Sequence, residues 1–538
     1  MPRSGENMIF LVGFMAAGKT SVGRAIAAAS GRRFVDLDDV IALEGPDGET
    51  AGALAARDEA ELRRREAAAL QALIAAGGEV VVATGGGAAA FGDNLARMRA
   101  AGLVVALDVT VAEARRRADG GPPRPLLAHA ERLAAARAPA YRRAHAVVDT
   151  TGRTIDEVAA QVRAVAAAWA RVPEARREAA TILALGERSY PITAARTVDA
   201  AEVRAALAPA TKIAVLTDAN VARAHPGLAA ALGDLVVEIA PGEGSKSFAT
   251  YERLCRDLVR GLDRGSAIVA LGGGVVGDLA GFCAATLFRG IPIAQVPTSL
   301  VAMVDAAIGG KTGIDAAGGK NLVGAFHQPR LVACGTQVLA TLPARERRAG
   351  FGELWKYALL GGRALWERVA ACAPWSAAGE GAAPPPELDE VIAMSIAYKA
   401  AIVSRDELER SGQRALLNLG HTIGHAIESA GMDGDPRGAL LHGEAVALGL
   451  VAACRVSQAV HGSDTSLERE LVAALAASGL LADVDRWLTP DVIGRVALDK
   501  KRAGNVLRYV TIAEMGACTV TDITALRLQE ILRRRVAP

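Results

Sequence analysis

The chain has 538 residues, 51% of them hydrophobic and 22% charged, the balance of a globular protein too long for one core and expected to hold about three or four domains. Lysine and arginine number 61 against 59 aspartate and glutamate, a net charge of +2, so no global field recruits nucleic acid or an anionic membrane and any anion must be captured locally. Six scattered cysteines form no CxxC pair and are expected to be reduced. The start MPRSGENMIFLVGF is too weakly apolar for a signal peptide and no apolar run approaches about 18–20 residues, so a cytoplasmic protein without membrane partners is expected.

In chain order, MIFLVGF, RRFVDLD, EVVVATG, LVVALDV and HAVVDT read as short strands separated by Ala- and Arg-rich helices, the pattern of a parallel α/β sheet. Gly13-Phe14-Met15-Ala16-Ala17-Gly18-Lys19-Thr20 fits GxxxxGK[ST] between the first strand and the first helix. Glycines there let backbone N–H groups wrap a phosphate chain, Lys19 reaches the terminal phosphates and Thr20 can ligate magnesium. A nucleoside triphosphate site is inferred over an ordinary glycine turn. Asp36 and Asp38 close the second strand, where alternation puts both carboxylates on one face, one suited to magnesium and one to substrate hydroxyls; a helix N-cap is the competing role. Arg63 and Glu66 in ELRRRE, Gly85-Gly86-Gly87, Arg124 in RPLL and Arg137 in RAPAYRR follow. Read singly, each arginine is as well explained as a solvated helix face.

Together and in this order behind a phosphate loop, these residues resemble shikimate kinase over nearly all of residues 1–172. The resemblance implies a P-loop nucleoside-monophosphate-kinase-like domain that uses ATP with magnesium. Gly13, Ala16, Ala17, Gly18, Lys19 and Thr20 would bind ATP, and Thr20 and Asp36 the magnesium. Asp38, Arg63, Gly85, Gly86, Gly87 and Arg137 would hold shikimate, while Arg124, on a lid, would join Lys19 in neutralising the transferred phosphoryl group. A polyhydroxy acid does call for arginine at its carboxylate and carboxylate at its hydroxyls. Ala16 stands where the family often has glycine. Another small-molecule kinase, such as a gluconate kinase, is the alternative for this half.

Pro173 and a run of charges mark a linker at 173–180. A second α/β pattern then runs through TILALGERSYPI, KIAVLTDANV, LVVEIAPGEG, SAIVALGGGVVGD and IPIAQVPTS, and after Leu342 helical patterns dominate to the end. The expected architecture is an α/β Rossmann-like subdomain over 181–345 and an all-helical subdomain over 346–538, with a ligand crevice between them. Gly272-Gly273-Gly274-Val275 follows a strand and opens a helix, as a pyrophosphate site requires. Asp218, Asn220, Glu243 and Lys246 add polar groups upstream.

The block VPTSLVAMVDAAIGGKTGIDAAGGKNLVGAFHQP, with the residues around it, resembles the 3-dehydroquinate synthase family, and the likeness runs from about Ile182 to the C-terminus. It implies an NAD site from Asp218, Asn220, Glu243, Lys246, Gly273, Gly274, Val275, Asp278, Thr298, Ser299, Asp305, Lys311, Lys320 and Asn321. By the same resemblance Glu353, His421 and His442 bind one Zn²⁺ or Co²⁺, an open set typical of catalytic zinc. Lys311, Lys356, Lys399, Arg414, Asn418 and His425 would serve catalysis, joined by Lys500 or Lys501. His421 and His425 lie one helical turn apart, so two core histidines, or two metal ligands, are the competing readings; His425 is assigned to substrate or proton transfer. Clustered cations argue for an anionic substrate. The family's substrate, 3-deoxy-D-arabino-heptulosonate 7-phosphate, carries both phosphate and carboxylate. Its cyclisation implies transient oxidation by NAD, phosphate elimination, return of the hydride, ring opening and aldol closure. A homodimer through this half is expected. A different sugar phosphate cyclase, a metal-dependent polyol dehydrogenase and a nucleotide-sensing scaffold with degenerate sites are the rival readings.

Overall fold

The structure is a computed structural model that describes residues 8–44, 50–119, 129–317, 319–432, 437–498 and 506–533. Arg124, Lys500 and Lys501 lie outside the described residues. The chain divides into two compact units, Met1–Thr193 with Ala400–Arg405, and Ala194–Lys399 with Asp406–Pro538.

In the first unit β1 (Met8–Gly13), β2 (Arg33–Asp36), β3 (Val80–Ala83), β4 (Gly102–Asp108) and β5 (Ala146–Asp149) form a parallel sheet in the order β2-β3-β1-β4-β5. Every residue of β1 is buried, which is why its sequence is an unbroken apolar run rather than an alternation. Its side chains still alternate between the two faces, Ile9 and Leu11 packing with Val105 and Val162, and Met8, Phe10 and Val12 with Val82 and Leu70. The chain leaves β1 for β2, returns through β3 and crosses to β4, so the connection reverses beside β1. The crevice outside the carboxyl ends at such a reversal is the ligand position of open α/β sheets. The helix Lys19–Ser30 begins there, after Gly18 at φ 92.

One expectation is corrected here. The second strand stops at Asp36, and Asp38 lies in the first turn of the helix Leu37–Glu44 rather than on the strand. Asp36 Oδ1 accepts the Asp38 N–H at 3.1 Å, and carboxylates are favoured where the first helical N–H groups are unpaired.

β6 (Thr181–Leu183) and β7 (Tyr190–Ala195) pair antiparallel, and in the second unit β8 (Ile213–Asp218), β9 (Leu235–Ile239), β10 (Ala267–Gly272), β11 (Ile293–Pro297) and β14 (Leu331–Gly335) lie side by side in the order β14-β11-β10-β8-β9. β12 (Lys311–Ala316) and β13 (Gly319–Phe326) form a separate antiparallel hairpin. Within the second unit the order of connection reverses between β8 and β10, which pair in parallel with Thr217 opposite Leu271. Asp218 and the glycine loop at 272–274 thus flank the switch point.

Helices dominate beyond Ala344, but the C-terminal part is not all-helical as expected: β15 (Val506–Glu514) and β16 (Ala517–Thr524) form an antiparallel hairpin turning at Gly516, φ 89. Thr511, which faces Thr519 across the hairpin, is hydrogen-bonded to the diagonal Thr521 at 2.7 Å, a cross-strand threonine contact in a stretch that read as helical. The helix His442–His461 also departs from expectation. It is long and apolar enough to cross a membrane, with a mean hydropathy of 1.3 over a window 72% buried inside the protein. Its apolarity is that of a core helix, packed against the helices Ala344–Gly361 and His421–Met432. Glycines set the closeness of that packing: a Cβ on Gly443 would lie 1.8 Å from the Ala349 carbonyl oxygen, and one on Gly352 would lie 2.0 Å from the Gly443 oxygen.

Candidate active sites

In the first unit a cavity of about 960 Å³ opens at the carboxyl ends of the strands, lined by the phosphate loop, Asp36, Asp38, Gly85 and Gly86. Lys19 Nζ donates to the carbonyls of Gly13 and Phe14, each at 2.9 Å, so the ammonium is curled over the loop. Thr20 Oγ1 donates to Asp36 Oδ2 at 2.7 Å; the two residues assigned to magnesium stand together. Ala16 adopts φ 59, a left-handed conformation that costs a residue bearing a Cβ roughly 1–2 kcal/mol. The family's frequent glycine at this position therefore has a steric cause.

Around residues 85–87 the groups assigned to shikimate converge. Arg63 donates to Glu66 at 2.5 Å and to Glu59 at 2.9 Å, and Arg137 approaches Glu59 at 3.5 Å. A Cβ on Gly85 would sit 1.8 Å from Glu66 Oε1, and one on Gly87 2.2 Å from Arg63 Cζ. The missing Cβ atoms let this loop lie directly on the buried ion pair; a larger residue would push the Glu66 and Arg63 side chains aside. Burial, and then Asp36, push the Asp38 carboxyl up. Two participants went unnoticed in the sequence. Glu59, one helical turn before Arg63, links both arginines, and that i,i+4 spacing was the available signal. Arg117 lines the cavity with Thr150, reaching its Oγ1 at 3.1 Å and the Ala16 carbonyl at 3.4 Å; within an Arg115-Arg116-Arg117 run nothing distinguished it.

In the second unit the nucleotide-side residues gather at strand ends. Gly273 caps the helix Gly274–Thr286, where a Cβ on it would meet Ser299 Oγ at 3.4 Å. The Thr298 N–H bonds the Gly272 carbonyl at 2.9 Å, and Val275 follows within the first turn. Asp218 accepts the backbone N–H groups of Asn220 and Val221 at 2.9 and 3.1 Å. Lys246 pairs with Asp278 at 2.8 Å, lies 3.7 Å from Glu243 and donates to Asn321 Oδ1.

The metal candidates also meet. Glu353 is fully buried, and its Oε1 lies 3.2 Å from His442 Nε2 and 3.5 Å from His421 Nε2. His425 joins them: ligand atoms of His421, His425 and His442 all lie within 4.8 Å of one another. A carboxylate facing imidazoles is a donor set that fits Zn²⁺ or Co²⁺. Burial, reinforced by Lys356, pushes His421 down to about 3, leaving it neutral as a ligand must be. For His442, burial is outweighed by hydrogen bonds to Glu353 and Glu428, which push it up to about 10. The two carboxylates thus favour a proton on His442 in the metal-free protein, and metal binding would displace it.

Beside this cluster one carboxylate serves several partners. Lys399 lies 2.7 Å and Lys356 3.7 Å from Asp305 Oδ1, which also accepts the Tyr357 hydroxyl at 2.9 Å. Lys356 has a second partner, Glu353, at 2.5 Å, and the two carboxylates raise it against burial. Among the described residues Lys399 has no such second carboxylate; burial, aided by Arg414 and Lys356, overcomes Asp305 and brings it down to about 8. Lys311 pairs with Glu409, whose Oε1 is 3.5 Å from Arg414 Nε. Asn418 is exposed in the short helix Gln413–Asn418 just before His421.

A P-loop at the switch point of one sheet and a glycine loop with a carboxylate–imidazole cluster in the other unit define the class: a nucleotide-dependent phosphotransferase joined to a Rossmann-like enzyme with a catalytic-type metal centre. Residues 15–167 match the family model for shikimate kinase, residues 236–349 that for the 3-dehydroquinate synthase N-terminal part, and residues 350–502 that for its C-terminal part. The 3-dehydroquinate synthase of Nitrobacter winogradskyi is 42% identical over 380 residues, covering 66% of this chain and 95% of that protein. The one from Opitutus terrae is 45% identical over 360 residues, covering 65% and 96%. A crystal structure of 2-deoxy-scyllo-inosose synthase complexed with carbaglucose-6-phosphate, NAD⁺ and Co²⁺ is 25% identical, covers 66% of this chain and 99% of that one, and superposes with a TM-score of 0.57. The chain belongs to the 3-dehydroquinate synthase family and carries a shikimate kinase domain ahead of the synthase.

Proposed function

We propose that the first unit phosphorylates shikimate with Mg²⁺-ATP, and that the second cyclises 3-deoxy-D-arabino-heptulosonate 7-phosphate to 3-dehydroquinate with release of phosphate, using NAD and a divalent metal. The observation that carries the second half is the set of cations, Lys311, Lys356, Lys399 and Arg414, gathered beside the Glu353, His421 and His442 cluster. A polyol dehydrogenase has no phosphate to neutralise and no use for them. A degenerate scaffold has no reason to keep Lys19, Thr20 and Asp36 together in one unit and Glu353, His421 and His442 together in the other. The bound metal and NAD would supply polarisation of the substrate hydroxyls and a reversible hydride acceptor. The protein's share is placement and charge. Glu353, His421 and His442 hold the metal, Lys399 and Arg414 draw in the anionic groups, and Asp305 keeps two lysines oriented. In the kinase, Lys19 meets the terminal phosphates, Thr20 and Asp36 meet magnesium, and Arg63, Arg137 and Asp38 meet the acceptor.

Supplied with the heptulosonate phosphate, NAD and Co²⁺ or Zn²⁺, the protein is expected to release phosphate without accumulating NADH. Stoichiometric NADH would favour the dehydrogenase reading instead. A cytoplasmic homodimer formed through the synthase half belongs to the same proposal. Sedimentation equilibrium should give twice the 55.4 kDa chain mass; a monomer mass would reject it.

Lys399 sets a pH dependence. Its pKa is lowered to about 8, so its charge is present below that pH and lost as pH rises through it. The free-enzyme profile of synthase kcat/KM is expected to fall on the alkaline side near 8, while the fall in kcat moves to higher pH because the substrate's anion raises the lysine. Lys399→Arg, which cannot lose its proton in that range, should flatten the alkaline limb even if the rate is lower. A limb unchanged in this variant would assign the titration to another group.

A further inference from the structure

Among the described residues, Glu428 is a buried carboxylate, 8% exposed, that no part of the proposed chemistry uses. It stands seven residues after His421 and three after His425 on the helix His421–Met432, so all three share one helical face. That helix lies close against His442–His461, where a Cβ on Gly424 would be 3.1 Å from the Ala445 carbonyl oxygen. The approach brings Glu428 Oε2 to 3.2 Å from His442 Nδ1. The other carboxylate oxygen, Oε1, accepts Lys320 Nζ at 2.7 Å.

We infer that Glu428 is a positioning residue for the metal: it takes the Nδ1–H of His442 and so presents Nε2, and only Nε2, to the ion. This rests on the reading of Glu353, His421 and His442 as ligands. The two histidines are anchored in parallel ways. His421 Nδ1 faces the Leu419 carbonyl at 3.1 Å and His442 Nδ1 faces Glu428, while the Nε2 atoms of both point at the same oxygen of Glu353. A ligating imidazole whose second nitrogen is held by an outer carboxylate or carbonyl keeps one tautomer and one ring orientation. His421 draws its anchor from backbone, which no side-chain change removes. The His442 side chain is 33% exposed and depends on Glu428 instead. Lys320, on β13, holds Glu428 in turn and also lies 3.8 Å from Glu243, so the anchor of a metal ligand ends among residues assigned to NAD.

The test measures Co²⁺ binding to the full chain without NAD or substrate, by competition with a chromophoric chelator and by the visible spectrum of the bound ion. Glu428→Ala is expected to weaken binding about 10- to 100-fold and to change the spectrum. Glu428→Gln, which keeps an acceptor oxygen for Nδ1–H, should restore most of the affinity and the wild-type spectrum. Unfolding followed by circular dichroism checks that both variants are folded. Wild-type affinity and spectrum in a folded Glu428→Ala protein would overturn the proposal, as would equal losses in Gln and Ala. His442→Ala separates the two levels: if it too keeps the ion, the ligand assignment itself is wrong, whereas loss there with retention in Glu428→Ala rejects only the role of Glu428.

Discussion

Gly443→Ala is expected to lower synthase kcat/KM by about 100-fold or more, the cost of displacing a reacting group by about 1 Å, and to bring bound metal below one per chain. A Cβ at Gly443 would meet the Ala349 carbonyl oxygen at 1.8 Å and its carbon at 2.6 Å. These are backbone atoms of the helix Ala344–Gly361, so no rotamer change relieves the clash and the helices must part. Glu353 rides on one helix and His442 opens the other. Their 3.2 Å contact cannot survive the separation. Shikimate phosphorylation should stay at its wild-type rate. Gly494→Ala is the control, since a Cβ there has nothing within 4 Å and should leave both activities alone. Metal content by atomic emission, measured beside the two rates, decides it; full metal occupancy in Gly443→Ala would show that helix proximity does not hold the site together.

Lys19→Ala is expected to cut ATP-dependent shikimate phosphorylation by on the order of 10³-fold, because charge stabilisation aimed at the transferring phosphoryl group is lost. The ammonium now rests on the Gly13 and Phe14 carbonyls at 2.9 Å, held at the loop before ATP arrives. kcat should therefore fall more than the KM for ATP rises, since the interaction strengthens as charge develops on the phosphate. Synthase turnover in the same preparation should match wild type. Equal changes in kcat/KM and in 1/KM, with kcat preserved, would show instead that Lys19 only binds ground-state nucleotide.

Local chemistry made much of this protein legible from its sequence. A phosphate loop requires glycine, lysine and a hydroxyl at fixed short spacing between a strand and a helix, so residues 13–20 announced their site without reference to the rest of the fold. The glycine loop at 272–274 did the same, because it too lies at one strand-to-helix turn. His421 and His425 were visible as a pair one helical turn apart, but spacing alone left open whether both bind metal, and the resemblance to known families supplied the assignment of Glu353 and His442. Where periodicity was read too simply it misled: Asp38 lies in the first turn of a helix rather than on a strand, and Val506–Glu514 and Ala517–Thr524, read as part of a helical stretch, form a hairpin.

Contacts between distant segments were decided by tertiary structure. Glu353 and His442 are 89 residues apart, and what joins them is backbone-to-backbone packing at Gly352 and Gly443, which in sequence are unremarked glycines inside helices. Glu428 shared a helical face with two histidines, a signal the sequence did contain, yet its meaning depended on which ring the neighbouring helix would bring to it. The depressed pKa of Lys399 likewise follows from burial beside Arg414 and Lys356 with one carboxylate between two lysines. Residue type and short spacing determine which chemistry a chain can attempt; helix packing at the ångström level determines which side chains share a carboxylate, a proton or a metal, because those interactions fall away within a bond length or two.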